Sequence, residues 1–354
     1  MAERAELQVE GQPFSGWKSI TVTSSIEAIC GSFRFIASEK NPDDVLARTI
    51  RRGQTCEVHL EGDLVLRGYI NQVTPRHDSK SHNVAISGRS LAGDLVDCSV
   101  THKPGEWKQR TILQIAQDLA EPFGITVRAE VDVGEAFPTF RVKESETVFS
   151  ALERMARQRG LLLISDPEGQ VVLTRARKER EPLAVILGTE VLEASVTDSE
   201  SDRFSLYRFK GQQQGSDTLT GVQAAEIQGE ATDPEVERFR PNVQIAEAQG
   251  TNATLRERAR WEAARQAGLS HRPQVVVRDW RNSAGSLWRP NTLVQMVDDF
   301  LEVDGELLIV SVTYQSDSAG RRATLALSRP EAFDVLAIPD KTGDTPELWL
   351  TSTI

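Results

Sequence analysis

Residues 56–97 read CEVHLEGDLVLRGYINQVTPRHDSKSHNVAISGRSLAGDLVD, and residues 294–337 read VQMVDDFLEVDGELLIVSVTYQSDSAGRRATLALSRPEAFDVLA. Both describe one object: a strand, a tight acidic turn, a second strand, a polar loop, a third strand, and an Asp-Leu or Asp-Val step. Ile70, Val73 and Thr74 align with Ile309, Val312 and Thr313, and Asp94 aligns with Asp334. Val58 and Leu60, then Val84 and Ile86, alternate with polar neighbours, as half-buried strands require. Glu61-Gly62-Asp63 is expected to turn the first hairpin, and Asp304-Gly305 the second. Two copies of one β unit predict two similar barrels or sandwiches in one chain.

Working outward, residues 6–37 have the β-branched and aromatic content of strands (WKSITVTSS, CGSFRFIAS). After Cys98 the texture changes. TILQIAQDLAEPFGITV (111–127) aligns with TVFSALERMARQRGLLL (147–163). Thr111 and Thr147 are N-cap residues, whose hydroxyls accept from free amides of the first turn. Ile112, Ile115, Ala116 and Leu119 share one helical face, as do Val148, Ala151, Leu152 and Met155. Gly124 and Gly160 then take the position where positive φ ends a helix. Residues 183–210 return to β texture and read as re-entry into the first β domain. Residues 211–250 are poor in large apolar groups and read as a connection or extended arm. TNATLRERARWEAARQAG (251–268) is the clearest helix, with Thr251 or Asn252 to cap it and Gly268 to end it.

The expected fold class is therefore α+β and β-rich: two similar antiparallel β-barrel domains, a small α+β domain of helix–strand units, and a smaller fourth region. The divisions are 1–99, completed by about 183–210; 100–182; 211–270; 271–336, with part of 211–250; and a C-terminal tail, 337–354. A chain of 354 residues exceeds one ordinary core. It contains no apolar run long enough to span a bilayer, and residues 1–17 lack the pattern of a secretory signal. Cys30, Cys56 and Cys98 lack metal-ligand spacing and read as buried thiols of a protein made in a reducing cytoplasm.

The formal charge is −11. Residues 183–354 hold 17 basic and 26 acidic side chains, so most of the excess lies there. That distribution opposes tight phosphate-backbone binding, which needs clustered cations. The nucleotide-binding, zinc-protease and serine-hydrolase motifs are absent. His77 and His82, in HDSKSH, belong to a hairpin loop before they suggest a metal. The pairs Asp43-Asp44 and Asp298-Asp299 flank turns or strands. Arg51-Arg52 and Arg321-Arg322 read as solvated or partner-facing. Trp280 and Trp288 bracket a turn in DWRNSAGSLWRPN. They serve either as core packing at a loop corner or, with Arg289, as an aromatic-plus-Arg contact at an interface. Trp349 and Leu350 form an apolar end that docks on something.

Several stretches in order carry a family resemblance: GWKSITVTSSIEAICGSFRFIAS, CEVHLEGDLVLRGYINQV, ATDPEVERFRPNVQIAEAQ, ERARWEAARQAG, VVVRDWRNSAGSLWRPNTLVQMVDD and LLIVSVTYQSDSAGRRATLALSRPEAF. Together they resemble the baseplate hub proteins of Mu-like contractile-tailed bacteriophages, related to the late-control protein D group and the T-even hub protein. The resemblance implies a structural virion protein of the tail baseplate, assembled in the host cytoplasm. It implies a homotrimer whose duplicated barrels form a pseudo-sixfold ring between the hexameric tail tube protein and the trimeric central spike protein, among other baseplate proteins. The tape measure and then DNA would pass its axial channel without specific binding. It brings no catalytic residue, cofactor or metal. The competing expectations are a tail-associated peptidoglycan hydrolase and a carbohydrate- or receptor-binding tail protein. The latter would need Trp280 and Trp288 as an exposed platform.

Overall fold

The computed structural model describes residues 5–38, 49–79, 82–176, 185–186, 191–211, 227–246 and 252–333. The first β unit holds β1 (Ala5–Val9), β2 (Gln12–Phe14), β3 (Ser19–Ser25), β4 (Ser32–Ser38), β5 (Thr55–Leu60), β6 (Asp63–His77) and β7 (His82–Ser90). A short α1 (Gly93–Asp97) leads to the next body: β8 (Glu106–Arg110), α2 (Ile112–Ala120), β9 (Val127–Ala129), β10 (Phe137–Arg141), α3 (Val148–Arg159), β11 (Leu162–Ser165) and β12 (Val171–Thr174). Then follow β13 (Val185–Ile186), β14 (Val191–Asp198), β15 (Leu206–Gly211), β16 (Ile227–Thr232), β17 (Pro241–Ile245), α4 (Asn252–Ser270), β18 (His271–Val277), β19 (Leu293–Asp298), β20 (Val303–Asp317) and β21 (Gly320–Ser328).

The repeat is structural. One unit pairs in the order β3-β4-β7-β6-β5, the other in the order β14-β18-β21-β20-β19. β5 and β19 are both 6 residues long, β6 and β20 both 15, and β7 and β21 both 9. Both long strands carry a bulge at the same point, between Ile70 and Gln72 and between Ile309 and Ser311. A bulge bends its strand, which lets one long strand serve different partners along its length. The same backbone lock precedes each bulge. Gly53 N donates to Ile70 O (2.7 Å) and Ile70 N to Gln54 O (3.0 Å); Asn291 N donates to Ile309 O (2.8 Å) and Ile309 N to Thr292 O (2.8 Å). Gly53 (φ 85°) and Asn291 (φ 65°) both hold left-handed backbone there, which glycine and asparagine tolerate best.

The two units do not make two separate barrels. Among the described residues they lie in a single 13-stranded sheet whose pairing order runs open from β14 to β2, with no closed barrel. The join is β3 of the first unit, which pairs antiparallel with β20 of the second over Ile20–Ser25 and Ser311–Ser316. One hydrophobic core serves both halves: Val22, Phe35 and Ile86 pack in the same cluster as Val275, Trp280 and Leu325. Alternation in sequence says which face of a strand is buried, but not which strand covers its edge.

The structure corrects four other expectations. The second hairpin turns at 299–302, while Asp304 and Gly305 lie in β20 opposite Val297 and Met296. Asp298 causes the earlier turn: its Oδ1 accepts from Phe300 N and Leu301 N, both at 3.0 Å, and Glu302 supplies the positive φ. Residues 191–198 join the second unit through β18, not the first. The span read as an arm contributes β16 and β17 to a three-stranded sheet around β15, packed on α4 through Tyr207, Phe209, Leu255 and Ala259. Gly268 does not end α4, which continues to Ser270; a Cβ there would stand 2.8 Å from Ala332 Cβ, so glycine lets the 330–333 turn approach.

The body at 106–174 follows its sequence closely. Thr111 accepts from Gln114 N in a full capping box, and Thr147 accepts from Ser150 N; each cap is worth about 1 kcal/mol. Gly124 and Gly160 are left-handed (φ 67° and 62°). The predicted helix faces are buried against Val127, Leu163, Val171 and Leu173.

Candidate interaction surface at the seam of the repeats

Glu61 (φ 53°) and Gly62 (φ 92°) form the two-residue turn between β5 and β6. Two successive positive-φ residues match the right-handed twist of a hairpin. This turn aims the Glu61 carboxylate across the seam, where its side chain is only 7% exposed. Arg281 Nε donates to it at 2.6 Å, and Arg321 Nη1 donates to its other oxygen. Arg281 Nη2 reaches Asp63 (2.6 Å) and Arg321 Nη2 reaches Asp279 (3.2 Å). Burial opposes the charge on Arg281, but its hydrogen bonds to Asp63 and Glu61 outweigh that and raise its pKa above the ordinary value. Five charged groups far apart in sequence thus clasp one β unit to the other. Elsewhere along the join, Thr23 and Thr313 share a hydroxyl–hydroxyl bond of 3.1 Å, and Arg272 pairs with Glu27.

Trp280 and Trp288 hold the clasp in place from beneath. Both are 1% exposed. Trp280 Nε1 donates to Gln315 O (2.9 Å), Trp288 N donates to Trp280 O (3.1 Å), and the Tyr314 hydroxyl donates to Trp288 O. The loop they peg carries Arg281, and the Arg321 guanidinium lies 5.4 Å from the centre of the Trp280 ring. Core packing at a loop corner is therefore their role, and the stacking platform needed for sugar recognition is not at the surface. Arg289 is exposed, on the rim of a cleft with Ser24, Ser165 and Asn291. Trp349 and Leu350 lie outside the described residues.

Arg321-Arg322 faces its own chain, since Arg322 pairs with Asp317 (2.7 Å) and Gln315 (3.0 Å). His77 and His82 stand opposite each other on β6 and β7 with ring centres 5.8 Å apart. Among the described residues, no group of three or more His, Cys, Asp or Glu side chains is placed to hold a metal ion. Of the three cysteines expected to be buried, Cys56 is, whereas Cys30 is half-buried and Cys98, just past the end of α1, is exposed. Sequence reading passed over Glu61, Asp63 and Arg281; their only signal was the hairpin turn that positions Glu61.

The chain is thus a duplicated β unit fused edge to edge, with ion pairs across the joint. Three family models match: "Mu phage baseplate assembly protein GpP-like, N-terminal" over residues 4–90, "Baseplate hub protein gp44-like, second domain" over 92–175, and "Mu phage baseplate assembly protein GpP, fourth domain" over 251–336. Baseplate hub protein gp44 of Escherichia phage Mu is 32% identical over 350 residues, covering 96% of this chain and 92% of that one. The 43 kDa tail protein of prophage MuSo2 from Shewanella oneidensis superposes with a TM-score of 0.86 at 35% identity, over 94% of this chain and 99% of that one. A tail protein from Neisseria meningitidis MC58 shares the fold, with a TM-score of 0.80 at 22% identity over 95% and 99%. The chain belongs to the family of baseplate hub proteins of Mu-like phages, a family of structural tail components. No helix among the described residues is long and apolar enough to cross a membrane.

Proposed function

We propose that this hub protein works as a homotrimer whose six β units close a pseudo-sixfold ring around an axial channel. On this reading the ring adapts the hexameric tail tube to the trimeric central spike, and the tape measure and genome pass through it. The supporting observation is the β3–β20 join, which places two units of one topology side by side in one sheet. A threefold body can meet a sixfold one only if each subunit presents two near-copies of the same surface. The protein's mechanism is then geometric, and it catalyses nothing. The acidic C-terminal half suits a channel wall, because carboxylates repel DNA phosphates. Light scattering coupled to size exclusion tests the reading: the expected mass is three times the 39.2 kDa chain. A monomer at every concentration refutes it.

A further inference from the structure

The join between the units inside the chain is half of a pattern whose other half lacks a partner among the described residues. Matching the repeats residue by residue shows this. Across the first unit a row of opposed residues runs Ile20–Phe35–Ile86–Val73. Across the second the same row runs Ala194–Val275–Leu325–Val312. So β14 is the counterpart of β3, and β6 the counterpart of β20. Inside the chain, β3 covers the edge of β20. Among the described residues, nothing pairs with the corresponding edge of β6 beyond its bulge, or with the outer edge of β14. Residues Asn71–His77 are exposed apart from the half-buried Val73.

We propose that β14 of one copy adds to the exposed edge of β6 in the next copy, in the register that β3 and β20 already use. The inference rests on the ring reading above and assigns its contact surface. Transferring the register sets Ala194 opposite His77, Thr197 opposite Thr74 and Asp198 opposite Val73. Three features of these edges fit a second copy of this chain. The Thr23–Thr313 hydroxyl pair, 3.1 Å apart, has Thr197 and Thr74 as its counterparts, so the cross-strand pair is retained in sequence. The β6 edge carries Arg76 and His77, and β14 carries Glu193 and Asp198; the transferred register puts Glu193 diagonal to Arg76, which must offset Asp78, directly opposite Glu193 at the end of the ladder. The counterpart of the Glu61 turn is the β19–β20 turn, which holds Asp299, Glu302 and the 89% exposed Phe300. The counterpart of Arg321, its clasp partner, is His82, because each stands opposite the counterpart residues Ser316 and His77. Pro75 has no backbone N–H, so the added ladder lacks a donor at that rung, as edge strands allow. The contact is head-to-tail, and such contacts close into rings when the rotation permits.

Engineered cysteines test this in the full-length protein. The double variant T74C/T197C, made with Cys30→Ser and Cys98→Ser so that no accessible native thiol cross-links, and oxidised with diamide, is expected to give a ladder on a non-reducing denaturing gel that stops at three chains and collapses on reduction; the other cysteine variants share this background. Either single variant alone is expected to stay a monomer on that gel, and a mixture of the two to stop at a dimer. T23C/T313C joins the same rung within one chain, so it calibrates the geometry and gives no intermolecular product. Trimers by light scattering combined with a monomeric T74C/T197C band overturn the edge assignment and leave the trimer standing. A wild-type protein that is monomeric throughout overturns both, and a ladder that runs on past three chains overturns the closed ring. Charge reversal gives a readout independent of cysteine chemistry: R76E weakens trimers and R76E/E193R restores them. Equal trimer strength in all three proteins counts against the register.

Discussion

Replacing Glu61 with Gln should loosen the seam between the repeats and leave the rest of the protein intact. Gln keeps the size, the left-handed backbone and one acceptor oxygen, so the substitution isolates the charge. Removing one partner from a fully buried ion pair costs about 3–5 kcal/mol, because the other charge is stranded. Here the discount is substantial. Arg281 and Arg321 keep Asp63 and Asp279, and their side chains are 26% and 33% exposed, whereas fully exposed pairs are worth about 0–1 kcal/mol. About 2 kcal/mol is the resulting expectation, equivalent to roughly 30-fold in an opening equilibrium. Separating the halves requires breaking both the clasp and the β3–β20 ladder. Amide hydrogen exchange should therefore accelerate roughly 30-fold in residues 20–25 and 311–316, while α2 and α3 keep their protection. The difference should survive added salt, because Glu61 is largely shielded from solvent. Acceleration of under threefold at the seam, or equal acceleration in α2 and α3, would refute the assignment of Glu61 as the clasp.

Four further outcomes are expected. Gly229→Ala should destabilise the β15–β17 sheet and α4 by about 1–3 kcal/mol, since the new Cβ would lie 2.1 Å from Arg256 N; local exchange or limited proteolysis of residues 204–270 reads it. Asp233→Ala removes two bonds of 2.9 Å from the buried Arg203, which keeps Glu235 at 2.8 Å, and should cost about 2 kcal/mol in denaturant unfolding of the same region. Burial opposes the charge of Glu146, but Arg154 and the Lys143 amide outweigh it and hold its pKa below the usual 4.5. Its contribution is thus complete above pH 4.5 and is lost as pH falls through the lower folded value; the stability gap between wild type and Glu146→Gln should be widest near neutrality and close in acid. Burial pushes the Cys56 thiol up to about 12, so a thiol reagent at pH 8 should label exposed Cys98 at once and Cys56 only after unfolding.

The legible parts of this fold were those set by neighbours in sequence. The three-strand unit announced itself through period-two burial at Val58, Leu60, Val84 and Ile86, all of which are buried. The two helices announced themselves through Thr111 and Thr147 at one end and Gly124 and Gly160 at the other. The second hairpin was misplaced because Asp304-Gly305 has turn chemistry in the abstract, whereas Asp298 captures two amides first. Gly268 misled in the same way: its lack of a side chain answers Ala332 across space, not the end of α4. The clasp could not be read, since Glu61, Arg281 and Arg321 meet only after two distant units dock. The tryptophans were ambiguous for the same reason. An aromatic pair around a turn looks alike in a core and at an interface until the covering strand is known, and here that strand is β20, through Gln315.

The repeats share their backbone and differ at their edges. Tyr314 in β20 is 3% exposed beneath β3, while its counterpart in β6, Pro75, is exposed. Val312 is fully buried and its counterpart Val73 is half-buried. A long exposed strand edge invites uncontrolled pairing, and soluble proteins blunt such edges with proline and cations. Pro75 and Arg76 carry those features. If β14 of a second copy does add here as proposed, Arg76 would disfavour an apolar or basic neighbour and Pro75 would prevent a full ladder. The cis edge of β20 needs no such restraint, since its partner arrives on the same chain. On the proposed ring, the asymmetry between Tyr314 and Pro75 would separate a joint made once during folding from one that waits for a second copy.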